Sequence, residues 1–157
     1  MRKRANFDTY WDDGWPELKW LERYFLTLAG RRQLFAGDND NWGLTLEGVE
    51  GTEHLPPYRG RIDIDLTILV HPDLGVLLCY HRSGGGSSES HYSKGDLRRL
   101  REWIKTFHGD RMPVGFFVPF ETAWKAVKEF IERDAALPTS IEWVAGKDIP
   151  PGTFPAP

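Results

Sequence analysis

The sequence predicts an α+β fold, in which a mainly antiparallel sheet of about five to six strands carries two amphipathic helices packed on it. Two observations predict this class. Apolar residues alternate in several short stretches, most clearly from Ile62 to Val70, whereas elsewhere they recur at three- and four-residue spacing. Because 157 residues suit one domain, we predict a single domain over residues 1–157, with a proline-rich tail at 146–157.

The N-terminal third contains one clear helix signal. Residues 1–15 hold aromatic side chains without periodicity, and Pro16 then begins a helix predicted over 16–28, with Gly30 as its stop. Residues 33–36 are interpreted as a short strand, and the alternation over 42–46 is typical of a half-buried strand.

The middle of the chain predicts a hairpin over 62–80. Its first strand places Asp63 and Asp65 on a wet face opposite the apolar residues, and its turn runs from His71 to Gly75. The glycine- and serine-rich residues 83–90 that follow are interpreted as a flexible linker or hairpin tip.

The C-terminal part predicts strand, helix and strand at 113–118, 120–133 and 141–144. Residues 96–107 fit either a helix or a strand, and we favour the strand. The helix at 120–133 has one wide apolar stripe. Its members are Phe120, Ala123, Trp124, Val127, Phe130 and Ile131.

Several short motifs in this region resemble a known family. They are Val118-Pro119 at a strand end, Ala126-Val127 and Glu129-Phe130 on the helix, then Pro138 and Glu142-Trp143; the strand at 74–80 is also similar. In this chain the family's last pair is reversed or shifted by one residue, and the family's glycine at the helix end is missing. With these residues the chain resembles bacterial immunity proteins of polymorphic toxin systems, which are often encoded beside nucleic-acid deaminase toxins. The resemblance implies a binding protein that covers the working surface of a cognate toxin.

Charge is unevenly distributed along the chain. Residues 38–73 hold eight acidic and two basic residues, a formal charge of −6, although the whole chain carries only −3. An acidic segment favours a partner with a basic surface, although the same charges also suit solvated loops and an outer strand face. Exposed tryptophans would serve as anchors of such a contact. The predicted partner-binding residues are Asp38, Asp40, Asp63, Asp65, Trp11 and Trp15.

We predict no catalytic residue, no metal site and no cofactor. The five histidines are scattered, and Gly84–Gly86 lacks the lysine and helix of a phosphate-binding loop. The alternative function is a small enzyme or ligand-binding domain that uses the open sheet face around Asp63, Asp65, Cys79 and His81. A single cysteine and the lack of a long apolar run favour a cytoplasmic protein without membrane contact. Residues 94–111 carry a formal charge of only +3, small against the −6 elsewhere, which argues against direct nucleic-acid contact.

Overall fold

The structure, a computed structural model, describes residues 1–7 and 13–155. Within these residues, one antiparallel sheet has seven strands: β1 (Arg2–Asn6), β2 (Asn41–Glu47), β3 (Asp63–His71), β4 (Gly75–Gly84), β5 (Ser87–Ser93), β8 (Phe117–Val118) and β9 (Trp143–Ala145). Their order in the sheet is β1-β2-β3-β4-β5-β9, and β8 also pairs with β4. The strands β6 (Trp103–Lys105) and β7 (Arg111–Pro113) form a separate hairpin. The α+β class with a mainly antiparallel sheet is therefore confirmed.

The described residues also form three α-helices: α1 (Leu18–Leu26), α2 (Leu28–Gln33) and α3 (Phe120–Glu132). The apolar stripe of α3 packs on the sheet together with α1, and the Trp124 ring lies 5.5 Å from the Phe25 ring. The prediction of this helix from its three- and four-residue spacing is confirmed.

The sheet has one fully covered face and one half-covered face. The helices cover the alternate residues of β2, β3 and β4, including Leu44, Leu66 and Leu78, which are all fully buried. On the opposite face, Leu69 and Leu77 are covered by the β6–β7 hairpin and by the 3₁₀ turns at Leu97–Arg99 and Val114–Phe116. The other half of that face carries polar residues. None of the helices in the described residues is long and apolar enough to cross a membrane.

The first third of the chain differs most from the sequence predictions. Residues 2–6, which have no periodic pattern, pair with β2 as the edge strand β1. The helix predicted over 16–28 ends at Leu26, because Thr27 adopts an extended conformation and its side chain accepts a hydrogen bond from the Gly30 N–H at the start of α2. Gly30 is thus inside a helix, where a Cβ would lie 2.0 Å from the Arg23 carbonyl oxygen.

Three further predictions are corrected. Residues 33–36 form the end of α2 and a turn rather than a strand, since backbone i to i−3 hydrogen bonds continue to Ala36. The strand predicted at 113–118 is divided by a 3₁₀ turn at Val114–Phe116. The tail, whose prolines predict a surface segment without regular structure, contains a 3₁₀ turn at Gly146–Asp148, and the carbonyl oxygen of the buried Thr153 accepts a hydrogen bond from the Trp103 indole.

The ambiguous segment 96–107 contains no α-helix. It forms a 3₁₀ turn at Leu97–Arg99, capped by the Asp96 side chain, and then the short strand β6. The strand that the sequence favours over 96–107 is therefore present only at Trp103–Lys105.

Candidate functional site

The uncovered half of the sheet presents two rows of polar side chains that cross five strands. We call these ten residues the polar sheet face. Strand register places the members of each row directly opposite one another on neighbouring strands. One row is Arg4, Thr45, Asp65, His81 and Ser90, and the other is Arg2, Glu47, Asp63, Ser83 and Ser88. A depression of ≈ 480 Å³ lies over the part formed by β1, β2 and β3.

Ion pairs hold the second row in place. The Arg61 guanidinium binds the Asp63 carboxylate through Nε and Nη2, with distances of 3.0–3.2 Å. It also lies 3.9 Å from Glu47, whose other oxygen is 3.3 Å from Arg4. The pKa of Arg61 is raised, mainly because of its hydrogen bond to Asp63. Glu47 and Asp63 are therefore largely neutralised within the protein.

Asp65 is different, because no basic side chain among the described residues pairs with it. Its Oδ1 accepts a 2.7 Å hydrogen bond from the Thr45 hydroxyl, and the carboxylate remains partly exposed. A carboxylate held by one neutral donor keeps capacity for further charged donors. Asp65 is thus the acidic group of the polar sheet face that is available to a basic partner.

The remaining acidic residues of the 38–73 segment do not gather around Asp65. Asp38 and Asp73 are exposed, but they lie near the Asn41 end of β2, which is about 13 Å along the strand from Thr45, the residue opposite Asp65. Glu50 and Glu53 are exposed on the loop between β2 and β3, where they pair with Arg82 and the N-terminal amine. Asp40 is only 4% exposed, and its Oδ2 accepts a hydrogen bond from the Phe107 backbone N–H. Asp40 is therefore not a solvent-facing carboxylate, which corrects its place among the predicted surface residues.

Of the two tryptophans predicted as anchors, the structure describes only Trp15. Trp15 packs against Phe130, with ring centroids 5.2 Å apart, and its indole N–H donates to the carbonyl oxygens of Arg4 and Thr45. These contacts tie it to the helix side of the sheet. Trp11 lies outside the described residues.

Cys79 and His81 share the outer face of β4, as their spacing predicts. Their surroundings do not favour a nucleophile. Burial raises the pKa of the Cys79 thiol, and burial likewise raises the pKa of its hydrogen-bond partner Tyr92 to about 12. The ring nitrogens of His81 face the hydroxyls of Ser90 and Ser88 at 2.6 and 3.4 Å. Within the described part of the chain, no group of three or more acidic, histidine or cysteine side chains is arranged to hold a metal ion.

Sequence reasoning missed Thr45, Arg61 and Arg4 as parts of this site. The alternation of β2 places Thr45 on the wet face, but its partner depends on the β2–β3 register, which only the folded chain shows. Arg61 lies before the start of β3, so the alternation of that strand does not predict where its side chain points.

Comparison with protein families identifies the scaffold that carries this face. The family model described as Immunity protein Imm1 matches residues 34–145. The chain belongs to this family. The Imm1 match extends from the residues before β2 to the end of β9, and so includes the whole polar sheet face except β1.

Membership in the Imm1 family confirms the resemblance to bacterial immunity proteins. It supports a toxin-neutralising role and implies a cognate toxin as partner. No curated protein and no solved structure is significantly similar to this Imm1 chain.

Proposed function

We propose that this Imm1 protein protects the cytoplasm of its own cell from a nucleic-acid deaminase toxin of a polymorphic toxin system. The family match supports the toxin-neutralising role. The C-terminal motifs support the deaminase class, because Val118-Pro119 and Glu129-Phe130 resemble immunity proteins encoded beside such toxins. A protein of this kind acts by binding rather than by catalysis.

The polar sheet face is the surface we assign to the toxin, and the observation that carries this assignment is the unpaired carboxylate of Asp65. A toxin that binds nucleic acid needs lysine or arginine side chains to contact phosphates. When Asp65 meets such a side chain, it forms a charge-assisted hydrogen bond at the place where a phosphate would bind. Substrate entry is then blocked without any chemical change to the toxin.

The surroundings of Asp65 hold this face rigid. Five paired strands fix the backbone, and the Arg61–Asp63 ion pair fixes the neighbouring row. A rigid surface loses little conformational entropy on binding, so more of the interaction energy contributes to affinity. Asp63 acts in this arrangement by positioning Arg61, and the exposed Asp38 contributes at most long-range attraction.

The test is complex formation between the purified chain and an inactivated toxin encoded by the neighbouring gene. We expect a stable complex, and we expect Asp65→Asn to slow association severalfold at low ionic strength and much less at high ionic strength. Asp110→Asn is the matched control, because it removes an equal charge from an exposed loop between β6 and β7. If wild-type protein forms no complex and gives no protection on co-expression, the proposed function is wrong. If Asp65→Asn and Asp110→Asn behave alike, the toxin contact lies elsewhere.

A further inference from the structure

The loop between β2 and β3 carries a side chain that the fold does not use. Tyr58 is 100% exposed, whereas the next most exposed large hydrophobic residue among those described, Leu28, is 64% exposed. Within the described residues, Tyr58 forms no hydrogen bond or ring contact. Isolated exposed hydrophobic residues are common in proteins, so exposure alone carries no function. The construction and the location of this loop distinguish Tyr58 from an ordinary surface residue.

The base of the loop is fixed to the start of β3. The backbone N–H groups of Gly48 and Val49 both donate to the Ile62 carbonyl oxygen at 2.9 Å. The Thr52 hydroxyl accepts from the Ile62 N–H and donates to the Val49 carbonyl oxygen. Asp63 adds a hydrogen bond from the Gly48 N–H. These contacts leave little freedom where the loop leaves the sheet.

The tip of the loop is a preformed reverse turn. The Arg59 N–H donates to the Pro56 carbonyl oxygen at 3.0 Å, so Pro57 and Tyr58 occupy the two central positions of the turn. Proline at the first central position restricts φ to the value that such a turn requires. Gly60 follows with φ +99°, a conformation that favours glycine, and returns the chain towards β3. Tyr58 is therefore presented on a loop that is hydrogen-bonded at its base and at its tip.

The loop also adjoins the charged end of the polar sheet face. It begins after Glu47 and ends before Asp63, and Arg61 contacts both of these carboxylates. Arg61 also lies within electrostatic range of Tyr58, so a partner seated at this end of the polar sheet face lies close to the tip of the loop.

We propose that Tyr58 is an aromatic anchor that enters the substrate cleft of the toxin when the toxin binds the polar sheet face. This inference rests on the proposed function, since it takes the partner to be a toxin that acts on nucleic-acid bases. A cleft of that kind holds a base by stacking on aromatic or apolar side chains, and a tyrosine ring presents a similar flat face. Tyrosine also loses little entropy on binding, because it has only two side-chain torsions.

The experiment measures association and dissociation rates of the inactivated product of the neighbouring gene with Tyr58→Ala, Tyr58→Phe and Phe107→Ala. Phe107 is the matched control, because it is a 52% exposed aromatic residue between β6 and β7. We expect Tyr58→Ala to raise the dissociation rate by about 30-fold or more, as the loss of an interface anchor does. Tyr58→Phe should retain most of the affinity, and Phe107→Ala should bind like wild type.

The outcomes separate this inference from the proposed function. If wild-type protein binds and Tyr58→Ala binds equally well, the anchor is wrong and the proposed function stands. If Tyr58→Phe loses as much affinity as Tyr58→Ala, the ring is not the anchor. A photo-crosslinking amino acid at position 58 should label toxin residues that are needed for toxin activity, and labelling of a remote toxin surface instead would overturn insertion into the cleft. Because Tyr58 packs on nothing, equal thermal unfolding of Tyr58→Ala and wild type is the required check on folding.

Discussion

Glu129 offers a test of how the C-terminal strand is attached to the fold. Its carboxylate accepts hydrogen bonds from the backbone N–H groups of Thr139 and Ser140, at 2.5 and 3.0 Å. It therefore connects α3 to the segment that leads into β9. Arg133 lies 3.5 Å away on the next helical turn.

We expect Glu129→Gln to lower the free energy of unfolding by about 1–3 kcal/mol at pH 7, because a neutral amide cannot accept both backbone donors and leaves one of them poorly paired. Burial alone would raise the pKa of Glu129, but the hydrogen bonds from Thr139 and Ser140 and the charge of Arg133 outweigh it, and the pKa is lowered. A carboxyl group whose pKa is lower in the folded state stabilises the fold above its unfolded pKa of about 4.3. This stabilisation is lost as the pH falls through the folded pKa, so the difference between wild type and Glu129→Gln should shrink below about pH 4.

The measurement is urea unfolding of both proteins at several pH values between neutral and acidic. Glu132→Gln is the control, because it makes the same change at an exposed position on the same helix and should alter stability little. A difference between wild type and Glu129→Gln that stays constant from pH 7 to acidic pH would show that the carboxylate is not what holds the loop. Equal effects of the two substitutions would show the same.

Two further predictions concern the core and the thiol. Trp124→Ala should lower the free energy of unfolding by about 3–5 kcal/mol in urea unfolding, because Trp124 is only 8% exposed and packs between two helices. Trp103→Ala is the control, since Trp103 lies on the surface hairpin and its loss should cost less. Similar losses for the two substitutions would contradict the assigned core. Cys79 should react slowly with a thiol reagent in the native protein, and rapidly after unfolding, because burial raises its pKa and keeps it protonated. Rapid native labelling would support the alternative of a reactive site on the sheet.

The predictable parts of the fold are those where one periodicity extends over many residues. The helix α3 buries one side only, and so does β3 from Asp63 to Ile68, so the spacing of their apolar residues follows the geometry of the element. The strand β1 has no such pattern, because it is an edge strand whose residues are mostly exposed or half-buried. The break between α1 and α2 depends on one side-chain hydrogen bond of Thr27, which hydrophobic spacing does not reveal.

The candidate site was predictable in part for the same reason. Asp65 was found because alternation places it on the wet face of β3. The charge count could not distinguish it from Asp40, because both are acidic residues of one charged segment, and only tertiary contacts show that Asp40 is buried against the backbone of the β6–β7 loop. Within the segment of formal charge −6, Asp65 is therefore the one described carboxylate of the polar sheet face without a basic partner. Four other acids are exposed away from it: Asp38 and Asp73 near the Asn41 end of β2, and Glu50 and Glu53 on the β2–β3 loop, where they pair with Arg82 and the N-terminal amine.

The sheet face opposite the helices has a covered apolar half and an uncovered polar half, and this difference bears on the proposed function. Where Leu69 and Leu77 point outward, the chain covers them with its own β6–β7 hairpin, because exposed leucines on a flat sheet would favour aggregation. Where Thr45 and Asp65 point outward, no segment of the described chain covers the sheet, although five strands are paired beneath it. Covering apolar surface stabilises the monomer, whereas covering this polar half would bury a carboxylate without a basic partner, at a large desolvation cost. The polar half is therefore stable while uncovered. The proposed toxin contact fits this surface, because lysine or arginine side chains of the toxin would offset the desolvation of Asp65.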